Sequence, residues 1–483
     1  MNWNMSRRAL SLVVLVLLPL VLLIGAVFVW ETPAKTTAQF ASLGKPTIPF
    51  VPNQKFITAT WFCPGVPVGQ GRGGVVVIAN PADQPLKGRL TVFTDADGVG
   101  PTEFDFEVTA RDVLELNLVG VQNQGTYLSA MVEINGGGGF VEQRADHPDG
   151  SAVSPCSNST SSEWHFADNY TLNDSREDLI ITNPFPDDAI VNFQFVSTDG
   201  TREPGVLQGV PIPGNSVYIV SQDLLSKDEV VFAVSVVASR GRIVVGRAQQ
   251  YQGERQGFTL NLGAPSAATG WWFADGDNPF GLYFERYSIY NPSDRDAVVQ
   301  PDFYALTENT LGSPAELTVP AHRVVSFSIT DVPGLPAGLH GSQFISVNDV
   351  PIVVERAITR PAGGGVATTV VLGVDIYFVE VGTRRWSMAI GSEQPVDSAL
   401  VVLNLGAEDA LVAVKALGPG GEVDIAGLEA VPIPALSVAT IALPGTALRQ
   451  PLIVVGNQPI IVERLLPRSA TLSGRSGSMA MPG

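Results

Sequence analysis

The chain repeats itself four times, and this constrains its fold more than any other feature. Tryptophan opens each copy, in "TWFCPG" at Trp61, "EWHFADN" at Trp164, "GWWFADG" at Trp271 and "RWSMAIG" at Trp386, at spacings of 103, 107 and 115 residues. An apolar strand ending in asparagine follows, at Asn80, Asn183, Asn291 and Asn404, so that Trp to Asn is 19, 19, 20 and 18 residues. Each copy closes on an apolar strand ending in arginine, at Arg144, Arg247, Arg356 and Arg464, with Asn to Arg intervals of 64, 64, 65 and 60. Intervals held this closely in four separate stretches mean that one supersecondary unit is built four times.

The unit is made of strands. Along "AIVNFQFVS" (Ala189 to Ser197) Ile190, Asn192 and Gln194 alternate with Val191, Phe193 and Phe195, the period of two that a half-buried strand requires. Turn signals such as "NPFPDD", "STDG" and "SRGR" break the pattern every few residues. A propeller blade would use about four strands in some 40–50 residues, whereas about seven strands per unit fit a two-sheet sandwich. The expected fold is therefore all-β, with four tandem immunoglobulin-like β-sandwich repeats at residues 57–150, 160–255, 268–362 and 383–467. Residues 31–56 are expected to be a linker and 468–483 a flexible tail.

One N-terminal transmembrane helix is expected to precede the repeats, within residues 1–30. Arg7 and Arg8 stand before an uncharged apolar run from Ala9 to Trp30, and 22 residues at about 1.5 Å each span about 33 Å, enough for a hydrocarbon core. The positive-inside rule then leaves the N-terminus in the cytoplasm and the repeats outside, as a single-pass signal anchor in a bacterial cell membrane. The rest of the chain carries no basic stripe, its net charge being −18, which argues against nucleic acid as a partner.

The strands "PIVVER" and "PIIVER" place a Glu-Arg pair at Glu355-Arg356 and Glu463-Arg464. Alternation puts Ile352, Val354 and Arg356 on one face, so the arginine ends a core-facing row, its stem over the sandwich edge and its guanidinium wet and near the Trp. An anion or acid/base site would need the glutamate too, and the second repeat has Gly246 there, the first Gln143. The reading is structural. Asparagine before proline suits an Asx-turn that ends a strand, and the four Trp are expected to pack against the sandwich, a sugar-stacking platform being the sharper alternative.

The run "WHFADN…LIITNPFPDDAIVNFQF…VPIPGNSVYIV…RIVVGR" resembles the W-x-F-A-[DE]-G … NP … VP … VER repeats of many secreted actinobacterial proteins. The "WFCPG" start is similar to that of an actinobacterial family of single-pass, extracytoplasmic proteins. The resemblance spans Trp61 to Arg464 and implies tandem β-sandwiches at a bacterial envelope, without implying an activity. The fourth repeat departs from it, with "WSMAIG" and "NLG" in place of the usual motifs.

Cys63 and Cys156 are the two cysteines, and in an oxidising compartment they are most simply one disulfide. His147, His165, His322 and His340 sit at unrelated repeat positions without metal-ligand spacing. "FADGDN" (Phe273 to Asn278) looks calcium-like but lacks the distant glutamate of an EF-hand loop. Neither a P-loop, a nucleophile elbow nor a dinucleotide fingerprint is found, so no catalytic residue, metal or cofactor is expected. The expected function is a non-enzymatic envelope scaffold or adhesion protein with a protein partner. The alternative is a cell-wall glycan-binding protein using exposed aromatics such as Trp272 or Tyr283.

Overall fold

In a computed structural model the landmark residues fall on matching strands, and the chain alternates between two sheets within every repeat. The structure describes residues 46–52, 58–221, 229, 231–278, 284–305, 311–312, 314–332, 335 and 337–483. The first repeat comprises β1 (Thr58–Pro67), β2 (Gly73–Asn80), β3 (Leu86–Thr94), β4 (Thr102–Val108), β5 (Asp112–Asn117), β6 (Tyr127–Asn135), β7 (Phe140–Asp146) and β8 (Ala152–Pro155). They pair in the orders β1-β6-β3-β4 and β5-β2-β7-β8. Corresponding strands of the other three repeats pair in the same way, giving eight sheets among the described residues.

These sheets do not form four separate sandwiches. β1 packs against β7 of its own repeat and also against Arg176–Asn183 and Val244–Tyr251 of the next, and the opening strands of repeats two and three likewise meet two strands of the following repeat. The fourth repeat returns to the first, with Arg385–Met388 against β7. Every sheet thus lies between two others, and the eight are the blades of a β-propeller, two to a repeat. One apolar core joins repeats three and four and takes in Ile48 and a few residues of repeat two, such as Ala167 and Ala233, while repeat two has a core of its own around Trp164 and Phe193. A third joins repeat one to residues of repeats two and four.

The expectation of immunoglobulin-like sandwiches is corrected for a reason that lies in the strands themselves. A sandwich leaves one face of each sheet to water, so its strands alternate. "GGVVVIAN" and "ALVVLN" are buried at every position, which demands a neighbour on both faces. A closed ring supplies it, and it also hides sheet edges that a tandem array would expose.

The innermost strand of each repeat follows the arginine-ended strand by a tight hairpin. These are β8, Gly257–Leu262, Gly365–Leu372 and Arg475–Met479, and each neighbours the next around the axis until the last meets the first. The boundaries set by Trp and Arg leave all four outside their repeats, and the segment expected to be a flexible tail contributes Arg475–Met479 and Met481–Pro482 to two sheets. Part of the expected linker is docked as well. Thr47 donates its N–H to the Asp375 carboxylate at 2.5 Å, the Val51 N–H bonds the Pro482 carbonyl at 2.7 Å, and Ile48 is buried. The expected transmembrane run lies outside the described residues, and no helix among the described residues is long and apolar enough to cross a membrane.

Candidate functional site

The glutamate and arginine of the closing strands meet across repeat boundaries, not within a repeat. Arg247 forks onto Glu355 of the next repeat, Nη2 to Oε1 at 2.9 Å and Nη1 to Oε2 at 3.2 Å. Arg356 does the same to Glu463 at 2.9 and 2.7 Å, and Arg464 closes the circle onto Glu142 of the first repeat at 3.0 and 2.9 Å. All six side chains are fully buried. Burial works against the guanidinium charge, but the facing carboxylates outweigh it and hold Arg247 and Arg356 above the ordinary arginine value. The expected wet guanidinium over a Trp is therefore wrong. Arg247 and Arg356 lie instead over the rings of Phe166 and Phe273.

The same carboxylates bind the backbone of the "F-A-D" motif. Glu355 accepts the N–H groups of Ala167 and Asp168, both at 2.7 Å, and Glu463 accepts those of Ala274 and Asp275 at 2.8 and 3.0 Å. Glu142 accepts the Ile390 N–H at 2.8 Å. Each buried charge thus has both a counter-charge and hydrogen bonds, the condition for its being tolerated in an interior.

Cross-strand pairing also corrects one landmark. Leu179, Tyr287 and Leu400, each four residues before the repeat asparagine, face Arg247, Arg356 and Arg464. Val76, the corresponding residue in repeat one, faces Gln143 and not Arg144. Arg144 is one residue out of step, points to the rim and pairs with Asp146 and Glu393, each at 3.1 Å. Gln143 stands where the arginine would be, and the glutamate it would meet is Gly246. Both charges are missing together. Gln143 bonds the Gly65 N–H and carbonyl at 3.1 and 2.6 Å, and a Cβ at Gly246 would come within 2.5 Å of the Pro64 Cβ.

The other landmarks are architectural in contact as well as position. Trp164, Trp271 and Trp386 donate their indole N–H to the carbonyls of Ile243, Ile352 and Ile460 at 2.9, 2.8 and 2.8 Å, and these three and Trp61 are buried. Asn80, Asn183, Asn291 and Asn404 each accept the N–H two residues on, the Asx geometry, and donate to the carbonyl four residues on. Trp272 is 4% exposed and bonded to Gln343, so it offers no platform to a sugar. Tyr283 lies outside the described residues. "FADGDN" is strand, not loop, and Asp275 is forked by Arg360 at 3.0 and 2.9 Å. Burial works to raise Asp275, but Arg360 and Arg356 outweigh it and leave it below the ordinary carboxylate value. The two cysteines form one disulfide, Cys63–Cys156.

His165 illustrates how buried polar groups bridge repeats. Its Nδ1 lies 2.8 Å from Ser235 Oγ, which lies 2.8 Å from the Tyr290 hydroxyl of repeat three. Burial pushes the imidazole down to about 4 from an ordinary value of 6.5. Between those two pH values the unfolded chain binds the extra proton, so stability present above pH 6.5 is lost as the pH falls. Urea titrations at pH 7 and pH 4 are expected to show about 3 kcal/mol of loss from this group. That component should be missing in His165→Asn; equal pH dependence in both proteins would refute the assignment.

A cavity lies at the hairpin end of the propeller axis. One hairpin from each repeat meets there, from residues 147–151, 252–256, 362–365 and 468–474, around a hollow of about 530 Å³. Tyr251, Gln252, Gln256, Thr471 and Ser473 line it together with several glycines, and Asp149, Arg468 and the apolar Ala362, Val366 and Leu472 complete the wall. Arg468 joins the neighbouring hairpins of repeats four and one, donating to the carbonyls of Asp149 at 2.5 Å and Ser473 at 3.3 Å. The hairpins are tied by Thr368 N–H to the Gln256 carbonyl at 2.8 Å. None of the repeat landmarks lines this mouth. What distinguishes it is the hairpin residues that differ from repeat to repeat, which a search for repeated positions passes over. Among the described residues no cluster of three or more His, Cys, Asp or Glu side chains is arranged to hold a metal.

No protein family matches the sequence, and no curated protein matches it. Among solved structures, Thermotoga maritima 1070 is similar over 23% of this chain and 96% of its own, at 16% identity and a TM-score of 0.21. The Anabaena sensory rhodopsin transducer is similar over 19% of this chain and 88% of its own, at 31% identity and a TM-score of 0.17. A Streptomyces avermitilis alpha-L-rhamnosidase complexed with L-rhamnose covers 83% of this chain with 55% of its own, at 8% identity and a TM-score of 0.11. None of these likenesses carries an argument about function.

Proposed function

We propose that the protein is a non-enzymatic binding scaffold of the cell envelope that works outside the cytoplasm, and that the hairpin-end mouth holds a cell-wall glycan. The mouth itself carries the reading: a hollow of about 530 Å³ walled largely by amides, hydroxyls and glycine backbone suits a ligand that is mostly hydroxyl groups. The joined cysteines support an oxidising compartment. The buried Glu-Arg pairs support a rigid support rather than a reactive centre, since each carboxylate is committed to a guanidinium and to backbone N–H groups. An envelope protein docking on the same face is the competing occupant.

The test is retention of the purified full-length chain on insoluble wall polysaccharide. Wild type is expected to be retained, and Gln256→Ala with Thr471→Ala to reduce retention about tenfold, the effect of losing roughly 1–1.5 kcal/mol of hydrogen bonding. Failure of wild type to bind any wall fraction, or full retention of the double variant, would overturn the reading.

A further inference from the structure

Comparison of the repeats exposes an arginine that has lost its carboxylate. In repeat three, Arg360 stands four residues after Arg356 and forks onto Asp275. Repeat two satisfies the matching aspartate differently, Arg255 bonding Asp168 at 3.0 and 3.4 Å. Repeat four keeps the arginine, Arg468, four residues after Arg464, but "WSMAIG" has Ile390 where "WWFADG" has Asp275. Arg468 is left with the carbonyls of Asp149 and Ser473 and makes no ion pair among the described residues, the Asp149 carboxylate acting on it only from a distance. Two of its five N–H donors are thereby engaged, and a carbonyl does not neutralise its charge.

A cleft of about 280 Å³ opens at this place, between repeats four and one, and both Ile390 and Arg468 line it. Arg144 and Arg449 stand in the same wall. Asp146 and Glu393, the two carboxylates there, are both bonded to Arg144. Ser392 and Ser469 add hydroxyls and Gln394 an amide. Arg468 also borders the axial mouth, where a Cβ on Gly257 would lie 3.3 Å from its Nη2. Arg468 therefore lines both the mouth and the cleft, with its two engaged N–H groups on the mouth side.

We propose that this cleft receives the carboxylate of a sugar acid on Arg468, beside Ile390, the residue that occupies the position of Asp275 in repeat three. The inference rests on the glycan reading of the mouth and names the ligand class: an acidic sugar, its carboxylate forked by Arg468 and flanked by Arg449, its hydroxyls toward Ser392, Gln394 and Ser469. The cleft has room for about one such residue.

Ligand-observed NMR titration of the full-length protein with D-glucuronate and with D-glucose tests it. Glucuronate is expected to bind at least tenfold more tightly than glucose, and Arg468→Gln to abolish that preference. Arg468 also ties hairpins together, so Ile390→Asp is the more discriminating variant. It restores an internal carboxylate, and is expected to keep the thermal midpoint while weakening glucuronate at least tenfold. Equal binding of the two sugars, or glucuronate binding untouched by Ile390→Asp, would overturn the proposal. If wall polysaccharide is retained while glucuronate shows no preference, this inference fails and the glycan reading stands. If polysaccharide is not retained but the glucuronate preference is found, the cleft stands and the glycan reading fails.

Discussion

Arg356→Met is expected to destabilise the protein by about 3–5 kcal/mol, because it strands the buried carboxylate of Glu463 without its counter-charge. Glu463 is fully buried, and without Arg356 it keeps only the N–H groups of Ala274 and Asp275 as partners near enough to bond. The double variant Arg356→Met with Glu463→Gln should recover most of that loss. A glutamine oxygen can still accept the two N–H groups, and no unpaired charge remains. The first junction of the ring likewise lacks both charges, with Gln143 in place of the arginine and bonded to Gly65, and Gly246 in place of the glutamate. Denaturant titration of the wild type, both single variants and the double variant gives the coupling energy directly. Additive losses would mean that the pair is incidental to the junction.

The parts of this architecture that could be read from sequence are those in which every repeat makes the same local contacts. All four Asn, and three of the four Trp, recur at fixed intervals because they donate to particular backbone carbonyls of their own repeat. What surrounds a sheet is not a local property. A count of about seven strands to a repeat favours a sandwich over a four-stranded blade, yet each repeat divides its strands between two blades. The signal for the ring was "VVVIAN", with no polar face to leave in water. The slip at Arg144 has a similar origin. An arginine one position beyond Gln143 preserved the interval, yet a one-residue shift turns a side chain to the opposite face of a strand. Aligning Glu142 with Glu355 and Glu463 would have restored the register. The innermost strand of repeat four is short and rich in Ser and Gly, "RSGSM", and composition alone cannot distinguish that from a loose tail. The mouth was illegible for the opposite reason: it is assembled from four hairpins that share no residue pattern.

Replacing both Cys63 and Cys156 by serine is expected to cost up to about 4–5 kcal/mol in the chain-entropy account, since the bond closes a loop across 93 residues. The damage should not spread evenly. Cys63 lies in β1, the strand that carries the first repeat onto the second, and Cys156 follows β8 just before the chain enters that second repeat. Phe62 and Ser157, their neighbours, exchange two backbone hydrogen bonds at 2.6 and 2.7 Å. This is the junction where Gln143 and Gly246 stand in place of an ion pair, so the covalent bond sits where the electrostatic one is missing. Hydrogen exchange should therefore accelerate first in β1 and in Arg176–Asn183 when the disulfide is removed, while Phe284–Asn291, behind the Arg356–Glu463 pair, remains protected. A stability loss under about 1 kcal/mol, or uniform acceleration around all four repeats, would show that the disulfide does not compensate for that junction. A ring with one weak seam opens there, and the chemistry at each seam, two charges or two sulfurs, determines where that is.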